Sequence, residues 1–537
     1  GAGGAGGRGG SGGRASSATG GAAGSAMGTG GQAGAQTIAD AAGPADADAR
    51  DGDRRPVDGL DAGVDADAGT TDAADARLPI EVGPPVPGTV TVDLGSPGRT
   101  VPKNFAGISV EWPAVQTFLG DGNGGLNAPA IQLLRNFEAD GTQVHVRIGG
   151  NSTDRTWLAR TDQTAPMGAS VSVTPTFLAT LNEVHKATGT PLILGVNLGL
   201  GDPAIAAAQL EAYAAAFAPG VVEAWELGNE PDLYVTTGRR VAPYGVNEYL
   251  ADAERFLTSL APLIMNRPLF ALPAAAGGGY NIGTIINAQK PRMNMVTVHG
   301  YPFSVCGTNP TPPMAADLLS DRATVNFARS YAARLQLATA AGLSFRLGEM
   351  NSAACGGAAN ASDVFAAGLW GAHVMFELAS LGVVGLNFHT AGRYSPFVFR
   401  NGAPAVQGLY YGMLLFSRTT AAGGKLLPVQ VTSTARVRAW ATIGTDKVVR
   451  IAILNESIAT PADLSIKLSA ARKEAEVVRL LSPALDAKTG ITFGGQTFDG
   501  SLDGKPLGTT TRETIQPAGG AYTLRLAQTS GVVLILK

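Results

Sequence analysis

Between residues 104 and 400 the sequence alternates short apolar runs with segments of helical composition. Eight apolar runs predict β-strands, at 105–112, 143–149, 192–198, 221–227, 269–274, 295–299, 345–348 and 383–389. Segments that predict helices lie between them, at 128–139, 176–188, 203–217, 246–260, 315–338 and 362–380. Strands and helices alternating over about 290 residues are typical of a (β/α)8 TIM barrel. An open doubly wound sheet is the competing architecture, but its usual glycine-rich nucleotide fingerprint is missing.

The last third of the chain has a different pattern, in which strand follows strand with turn residues between them. Predicted strands lie at 429–433, 435–441, 447–454, 464–468, 475–481, 522–526 and 531–536. They indicate a C-terminal β-sandwich domain, and a strand at 89–94 is expected to complete it from the N-terminal side. We therefore predict four segments: a tether at 1–80, the N-terminal strand of the sandwich at 81–103, the barrel at 104–400 and the sandwich at 401–537.

The N-terminal stretch is of low complexity. Residues 1–34 contain 16 glycines, and residues 40–77 contain 11 aspartates. Such a composition cannot bury enough apolar surface to offset the entropy of ordering, so we predict a disordered tether. The chain begins with Gly1, and we expect a fragment or mature form whose targeting segment is not included. A tether of this kind favours a secreted or cell-surface/periplasmic protein, with anchoring to the envelope through the N-terminus.

The bulk composition argues against several classes of function. The net charge is −3, and the segment after the tether is close to neutral, so no nucleic-acid partner is expected. No apolar run is long enough to predict a membrane span, and the stretch 365–388 is better interpreted as a buried helix followed by a strand. The five histidines lack metal-ligand spacing and no phosphate-binding loop is present, so we expect neither a metal nor a cofactor.

Two glutamates follow predicted barrel strands directly. Glu230 comes after the fourth strand, in the motif GNEP at 228–231, and Glu349 follows Gly348 at the seventh. Active sites of these barrels are built where the strands end, so the two carboxyl groups are expected to face each other. A carboxylic acid and a carboxylate in this arrangement are the minimum machinery for cleaving a glycosidic bond.

The motifs together resemble glycoside hydrolase family 79, the family of heparanase and microbial β-glucuronidases. The resemblance covers residues 88–537 and rests on VRIGGNS at 146–152, GNEP, GE at 348–349, SAACGG at 352–357 and GLYYGM at 408–413. It implies a retaining mechanism with Glu230 as general acid/base and Glu349 as nucleophile. The negative charge of Glu349 is then expected to raise the pKa of Glu230 and keep it protonated for the first step.

The resemblance also implies substrate-binding residues around the two glutamates. Asn229 matches the asparagine that hydrogen-bonds the sugar 2-hydroxyl, and Glu111 matches an acidic position for sugar hydroxyls. His299 and Tyr301 match a sugar-binding turn after the sixth strand, where Tyr301 could orient the nucleophile. Arg147 could steady Glu349, although the strand pattern does not indicate which face Arg147 occupies.

Recognition of a uronic acid requires groups that bind a carboxylate. The family uses a loop after the eighth strand, and Tyr394 with neighbouring backbone N–H groups lies in the matching place. Arg393 offers a bidentate alternative if it points inward, the other reading being a surface arginine. Gly356 and Gly357 resemble glycines that let the backbone approach the substrate.

The two cysteines, Cys306 and Cys355, fall in the loops after the sixth and seventh strands. These loops are neighbours in a barrel, so we predict a disulfide, with a pair of free thiols as the alternative. Cys355 is also a departure from heparanase-like members, which have tyrosine there.

We expect a glycoside hydrolase that removes β-linked glucuronic acid from an oligo- or polysaccharide, and an exo-acting β-glucuronidase is favoured over an endo-acting enzyme. A barrel glycosidase of the same clan acting on xylose or arabinose is one alternative. A catalytically inactive carbohydrate-binding surface protein is another.

Overall fold

The computed structural model describes residues 82–160, 163–264, 269–308 and 310–537, and the predicted tether lies outside these ranges. Eight parallel strands form a closed barrel, and each overlaps one of the predicted runs: Ala106–Glu111, His145–Gly149, Leu192–Val196, Val222–Leu227, Phe270–Ala275, Met293–Gly300, Ser344–Met350 and Gly385–His389. The eighth strand pairs with the first and closes the barrel. The TIM-barrel prediction is confirmed, and all carboxyl ends meet at one rim.

Helices connect the strands and cover the outside of the barrel. Those of eight or more residues are Ala128–Arg135, Pro175–Thr188, Pro203–Ala216, Val246–Leu260, Ile282–Gln289, Ala332–Ala340, Phe365–Leu381 and Gly408–Thr420. The helix Ile282–Gln289 was not predicted, because it is too short for its periodicity to distinguish it from a strand or loop. The helix Gly408–Thr420 was not predicted either, although its first residues form the motif GLYYGM. No helix among the described residues is long and apolar enough to cross a membrane.

The single helix predicted at 315–338 is wrong, because the chain forms three helices there. They are Ala315–Leu318, Val325–Arg329 and Ala332–Ala340. The first break follows Leu318, where the N–H and the hydroxyl of Ser320 both donate to the carbonyl of Asp317, at 3.1 and 2.6 Å. Side-chain bonds of this kind compete with the hydrogen bonds that would continue the helix.

Two sheets pack on each other at the C-terminal side and enclose a second apolar core. One sheet has the order Val429–Ser433, Val86–Val92, Ala462–Leu468, Ala521–Leu526. The other has the order Lys425–Leu427, Val437–Ile443, Val449–Asn455, Ser530–Leu536, Ala475–Leu481, Thr492–Phe493, with Glu513–Ile515 beside Ala475–Leu481. The N-terminal strand lies inside the first sheet, so the predicted sandwich completed from the N-terminal side is confirmed.

Three small two-stranded sheets lie in the loops. They pair Thr156–Leu158 with Val171–Val173, Phe303–Ser304 with Ala353–Ala354, and Phe397–Arg400 with Ala403–Val406. The second of them joins the loops after the sixth and seventh barrel strands, so it fixes part of the rim.

Four strands contribute to a buried polar cluster where the second barrel strand begins. Arg346 donates to Asn387 Oδ1 at 2.7 Å, which fixes the amide so that its Nδ2 faces His145 Nδ1 at 2.9 Å. His145 must therefore accept on Nδ1 and carry its proton on Nε2, which lies 3.0 Å from Glu223. Burial, together with the charge of Arg346, lowers the pKa of His145 from 6.5 to about 4. The imidazole is thus neutral in the folded protein.

This neutral histidine predicts acid sensitivity. The unfolded chain takes up a proton at His145 below pH 6.5, whereas the folded protein does so only near pH 4, so stability is lost as the pH falls through that window. A shift of this size is worth about 3 kcal/mol. We expect the free energy of unfolding, measured in denaturant at several pH values, to fall accordingly.

In the variant H145Q the free energy of unfolding should depend less steeply on pH over the same window. The difference in slope should correspond to the uptake of about one proton. Loss of packing at position 145 would change the free energy of unfolding at every pH alike, so the change in slope is the readout. A wild-type protein whose stability is constant between pH 6.5 and 4 would contradict the neutral form of His145.

Candidate active site

The two predicted glutamates come together at the carboxyl ends of the barrel strands. Glu230 follows the fourth strand and Glu349 lies near the end of the seventh. Both are almost buried, with exposures of 6% and 7%. One ligand atom from each, and one from His299, all lie within 4.8 Å of one another.

Unusual backbone at both positions aims these side chains. Glu230 has a φ of 50°, in the left-handed region that is unfavourable for a residue with a side chain. Its N–H donates to the carbonyl of Ala274 at 2.9 Å, so the neighbouring fifth strand holds the strained turn. In the seventh strand the pairing register shifts between Leu347 and Glu349. The irregularity re-aims the Glu349 side chain, as bulges near active sites commonly do.

Arg147, from the second strand, lies at the centre of the site and is completely buried. Its Nη1 donates to Glu349 Oε2 at 2.8 Å, and its Nε donates to Glu226 Oε2 at 2.6 Å. Its Nη2 donates to Asn229 Oδ1 at 3.0 Å and faces His299 Nε2 at 3.3 Å. The side chain therefore points into the barrel, which the sequence left open, and one guanidinium fork connects two carboxylates, an amide and an imidazole.

His299 has its protonation fixed by this arginine. Because Arg147 can only donate, His299 Nε2 must accept, and the ring proton lies on Nδ1. Nδ1 then donates to Glu230 Oε1 at 2.8 Å. Burial lowers the pKa of His299 from 6.5 to about 3. Glu230 is thus oriented by a neutral hydrogen-bond donor that does not compete with it as an acid near neutral pH.

Glu349 is surrounded by groups that favour its charged form. Burial alone would raise its pKa, but the positive charge of Arg147 and a hydrogen bond from Tyr301 lower it well below the ordinary value of 4.5. The Tyr301 hydroxyl donates to Glu349 Oε1 at 2.8 Å. Both oxygens of the carboxylate are therefore held, and the group is ionised and oriented.

Tyr301 can be tested through this hydrogen bond. We expect Y301F to lower kcat/KM about 10- to 100-fold, because a hydrogen bond to a charged partner is lost. Tyr522 lies in the strand Ala521–Leu526 of the C-terminal domain. The variant Y522F is the matched control and should leave kcat/KM unchanged. Equal kcat/KM for Y301F and the wild type would exclude a role for the hydroxyl in holding Glu349.

Glu226 is a residue of the site that was not predicted from the sequence. Glu226 lies on the fourth barrel strand, Val222–Leu227, and is completely buried inside the barrel. Burial raises its pKa, and Arg147 opposes that rise. A Cβ on Gly348 would lie 3.0 Å from Glu226 Oε1, so the glycine of the GE motif leaves room for this carboxyl group as much as for a sugar. The sequence signal that could have predicted Glu226 is a glutamate two residues before the GNEP motif.

Asn229 and Glu111 are both engaged with the loop after the second strand. Asn229 Nδ2 donates to Asn151 Oδ1 at 3.2 Å, and the amide is buried beside Arg147. Glu111 accepts from the backbone N–H groups of Asn151 and Ser152 at 3.0 and 2.9 Å, and from the Ser152 hydroxyl. The Glu111 carboxylate therefore holds the loop after the second strand in place at the rim and is not freely solvated.

The predicted glycines and the loop after the eighth strand pack against each other. Arg393 N–H donates to the carbonyl of Gly356 at 2.6 Å, and a Cβ on Gly357 would lie 3.0 Å from the backbone nitrogen of Tyr394. Tyr394 is buried, with its ring centroid 6.1 Å from that of Tyr301. Arg393 is exposed, so its side chain does not take the inward position considered from the sequence.

Cys306 and Cys355 form a disulfide with a Cα–Cα distance of 5.3 Å. It joins the loops after the sixth and seventh strands, beside the small sheet that pairs Phe303 with Ala353. Tyr301 and Glu349 precede these two half-cystines in the chain, so the bond links the segments that carry both members of that hydrogen bond.

A cation would find three ligand groups in this site, Glu230, His299 and Glu349. These groups are already used among themselves and by Arg147, whose positive charge lies 2.8 Å from Glu349. A fixed cation at that distance repels a second one. The donor set therefore fits proton transfer and nucleophilic attack better than metal binding.

Among known families, the model of the glycosyl hydrolase family 79 C-terminal beta domain matches residues 439–533.

Among known proteins, the chain is similar to a β-glucuronidase of Aspergillus niger, with 24% identity over 502 residues that cover 80% of this chain and 90% of the relative. A β-glucuronidase of Neurospora crassa is 23% identical over 500 residues, covering 77% and 88%.

Among solved structures, a 4-O-α-L-rhamnosyl-β-D-glucuronidase from Fusarium oxysporum 12S, in complex with Rha-GlcA, superposes with a TM-score of 0.69 at 20% identity, covering 83% of this chain and 99% of the other. A GH51 arabinofuranosidase from Xanthomonas axonopodis pv. citri has a TM-score of 0.63 at 15% identity, covering 84% and 100%. At these identities the structural matches establish the fold.

Proposed function

We propose that this chain, a glycoside hydrolase whose predicted resemblance to family 79 is confirmed, removes β-linked glucuronic acid from glycans with retention of configuration. One observation carries the proposal: two buried carboxyl groups whose oxygen atoms lie within 4.8 Å of each other at the ends of strands four and seven. Retaining enzymes hold these groups about 5 to 5.5 Å apart, whereas inverting enzymes need about 6.5 to 9.5 Å for a water molecule.

In the first step Glu349 attacks the anomeric carbon while Glu230 gives its proton to the leaving glycosidic oxygen. The C–O bond to the aglycone breaks, and an ester between the sugar and Glu349 forms. Arg147 and Tyr301 keep the attacking carboxylate ionised and aimed beforehand, so little reorganisation is needed.

In the second step Glu230, now a carboxylate, removes a proton from water, and the hydroxide oxygen attacks the anomeric carbon. The ester bond breaks and Glu349 is regenerated. The donated hydrogen bond from neutral His299 occupies one oxygen of Glu230, which leaves the other to exchange the proton. We assign donation to the sugar 2-hydroxyl to Asn229, whose amide oxygen accepts from Arg147.

The names of the fungal relatives support glucuronic acid as the sugar that is cleaved. We assign recognition of its carboxylate to Tyr394 and to the backbone N–H groups of Gly392 and Tyr394, because the N–H of Arg393 already donates to Gly356 and the Arg393 side chain is exposed. A neutral pentose is the second candidate, since the arabinofuranosidase superposes with a TM-score of 0.63.

Nitrophenyl β-glucuronide assayed beside the β-xyloside and the α-arabinofuranoside separates these candidates. We expect kcat/KM to be highest on the glucuronide by at least about 100-fold, because a site built to bind a charged group rejects a substrate that lacks it. Higher activity on either pentoside would favour the neutral-sugar alternative. Activity on none of the three would favour a carbohydrate-binding protein.

The disulfide supports a location in an oxidising compartment, secreted or at the cell surface or in the periplasm. Residues 1–80 are then a spacer, which would allow attachment to the envelope, and residues 81–537 form the enzyme. We further propose exo action on a terminal glucuronic acid. Mass spectrometry of products from an oligosaccharide tests this, because exo action releases only the monosaccharide at early times.

A further inference from the structure

A groove of about 430 Å³ lies beside the active-site rim and takes no part in the mechanism above. It is formed by the turn after the eighth barrel strand, the hairpin Phe397–Arg400/Ala403–Val406 and loops of the C-terminal domain. The turn also carries Tyr394, whose ring is 6.1 Å from that of Tyr301. The groove therefore begins at the loop that borders the catalytic glutamates.

Two arginines in this groove have no internal partner. Arg393 and Arg400 are both exposed, and neither guanidinium makes a hydrogen bond or an ion pair with any residue in the described ranges. Among the other charged residues of the groove, Lys488 pairs with Asp363 at 2.8 Å, and the Asp499 side chain accepts from the neutral backbone N–H of Gly490 at 2.5 Å. Three cationic and two acidic side chains line the groove, so its formal charge is +1.

Gln407 also lines the groove, but its side-chain oxygen is buried beneath the surface, out of reach of a ligand. What the groove offers a ligand is therefore the pair of exposed guanidinium groups of Arg393 and Arg400. A guanidinium group binds a carboxylate through two parallel hydrogen bonds, so the carboxylate of a uronic acid residue suits this groove.

We propose that this groove is a second carbohydrate subsite, which binds an internal uronic acid residue of the glycan whose terminal residue is cleaved. This inference rests on the proposed function. The turn 392–394 connects the two places, because Tyr394 lies near Tyr301 of the catalytic site and Arg393 lines the groove. The carboxylate is bound by Arg393 and Arg400. The enzyme therefore favours acidic chains over neutral ones that carry the same terminal sugar.

The test uses three substrates that all end in β-glucuronic acid. They are nitrophenyl β-glucuronide, a glucuronosyl cap on a neutral galactose oligosaccharide, and a hyaluronan hexasaccharide, which has a carboxylate on alternate residues. For R393Q/R400Q we expect KM on the hexasaccharide to rise about 3- to 20-fold, and more at low salt, since exposed charges contribute modestly and are screened. Kinetics on the other two substrates should stay within about twofold.

The matched control is R329Q/R512Q, which removes the same charge from two exposed arginines that do not line the groove. Calorimetric binding of the hexasaccharide to wild type and to R393Q/R400Q, each in an E349Q background, gives a readout that does not need turnover. Equal Kd values, or an equal loss in the control, would overturn the subsite. Failure of the wild type to cleave nitrophenyl β-glucuronide would instead refute the proposed function, and the binding measurement would still decide the subsite.

Discussion

E349A is expected to lower kcat by about 10⁴-fold or more on every glycoside substrate, because no other group can form the covalent intermediate. The loss should not depend on the leaving group. Azide should restore part of the activity, since a small anion fits the space left by the side chain, and the product should be the α-glycosyl azide. A β-product would contradict attack by Glu349 from the opposite face.

E230A is expected to behave differently, because the acid is needed only where the leaving group is poor. With dinitrophenyl β-glucuronide the first step should proceed, and azide should raise turnover and give the β-glycosyl azide. With an alkyl glucuronide we expect a loss of about 10²- to 10⁴-fold, the usual contribution of general acid catalysis. Equal losses on both substrates would exclude Glu230 as the acid.

Both variants need evidence that the fold is intact. Glu183, an exposed residue that pairs with Lys186 on the helix Pro175–Thr188, provides the control variant E183Q, which should retain wild-type kcat. Unchanged circular dichroism, together with retained binding of the glucuronate product, would place the defect in the chemical step.

R147M is expected to be the most destabilising change in the site. Arg147 is completely buried and is within ion-pair distance of both Glu226 and Glu349, so removing it leaves two carboxyl groups without the one cation they share. Breaking a buried ion pair by removing one partner costs about 3 to 5 kcal/mol. Chemical denaturation should show this loss, and activity should fall with it, because the nucleophile loses one of its two fixed hydrogen bonds.

A second variant separates stability from catalysis. In R147M/E226L the buried carboxyl group of Glu226 is removed together with the arginine, so we expect much of the lost stability to return. Activity should stay low, because Glu349 still lacks its cation. Recovery of both properties would mean that Arg147 acts only through the packing of the barrel interior.

Much of this architecture could be predicted from local pattern. The barrel strands are short apolar runs bounded by turns, and the helix Pro203–Ala216 begins at Pro203 after a capping aspartate. Such signals are local in the chain, so periodicity and turn chemistry identify them. The position of the glutamates at strand ends follows from the same pattern, since parallel strands of a closed barrel present their carboxyl ends at one rim.

Which side chains face the interior of the barrel was decided only by closure of the barrel. Strand alternation assigns two faces but does not say which is the interior, and the register shift before Glu349 changes the alternation at the residue that matters most. Arg147, Glu226 and His299 meet because strands two, four and six turn the same face inward. Arg393 and the unpaired groups of the groove depend likewise on how distant loops pack, and that packing is set by long-range contacts that no local window of sequence contains.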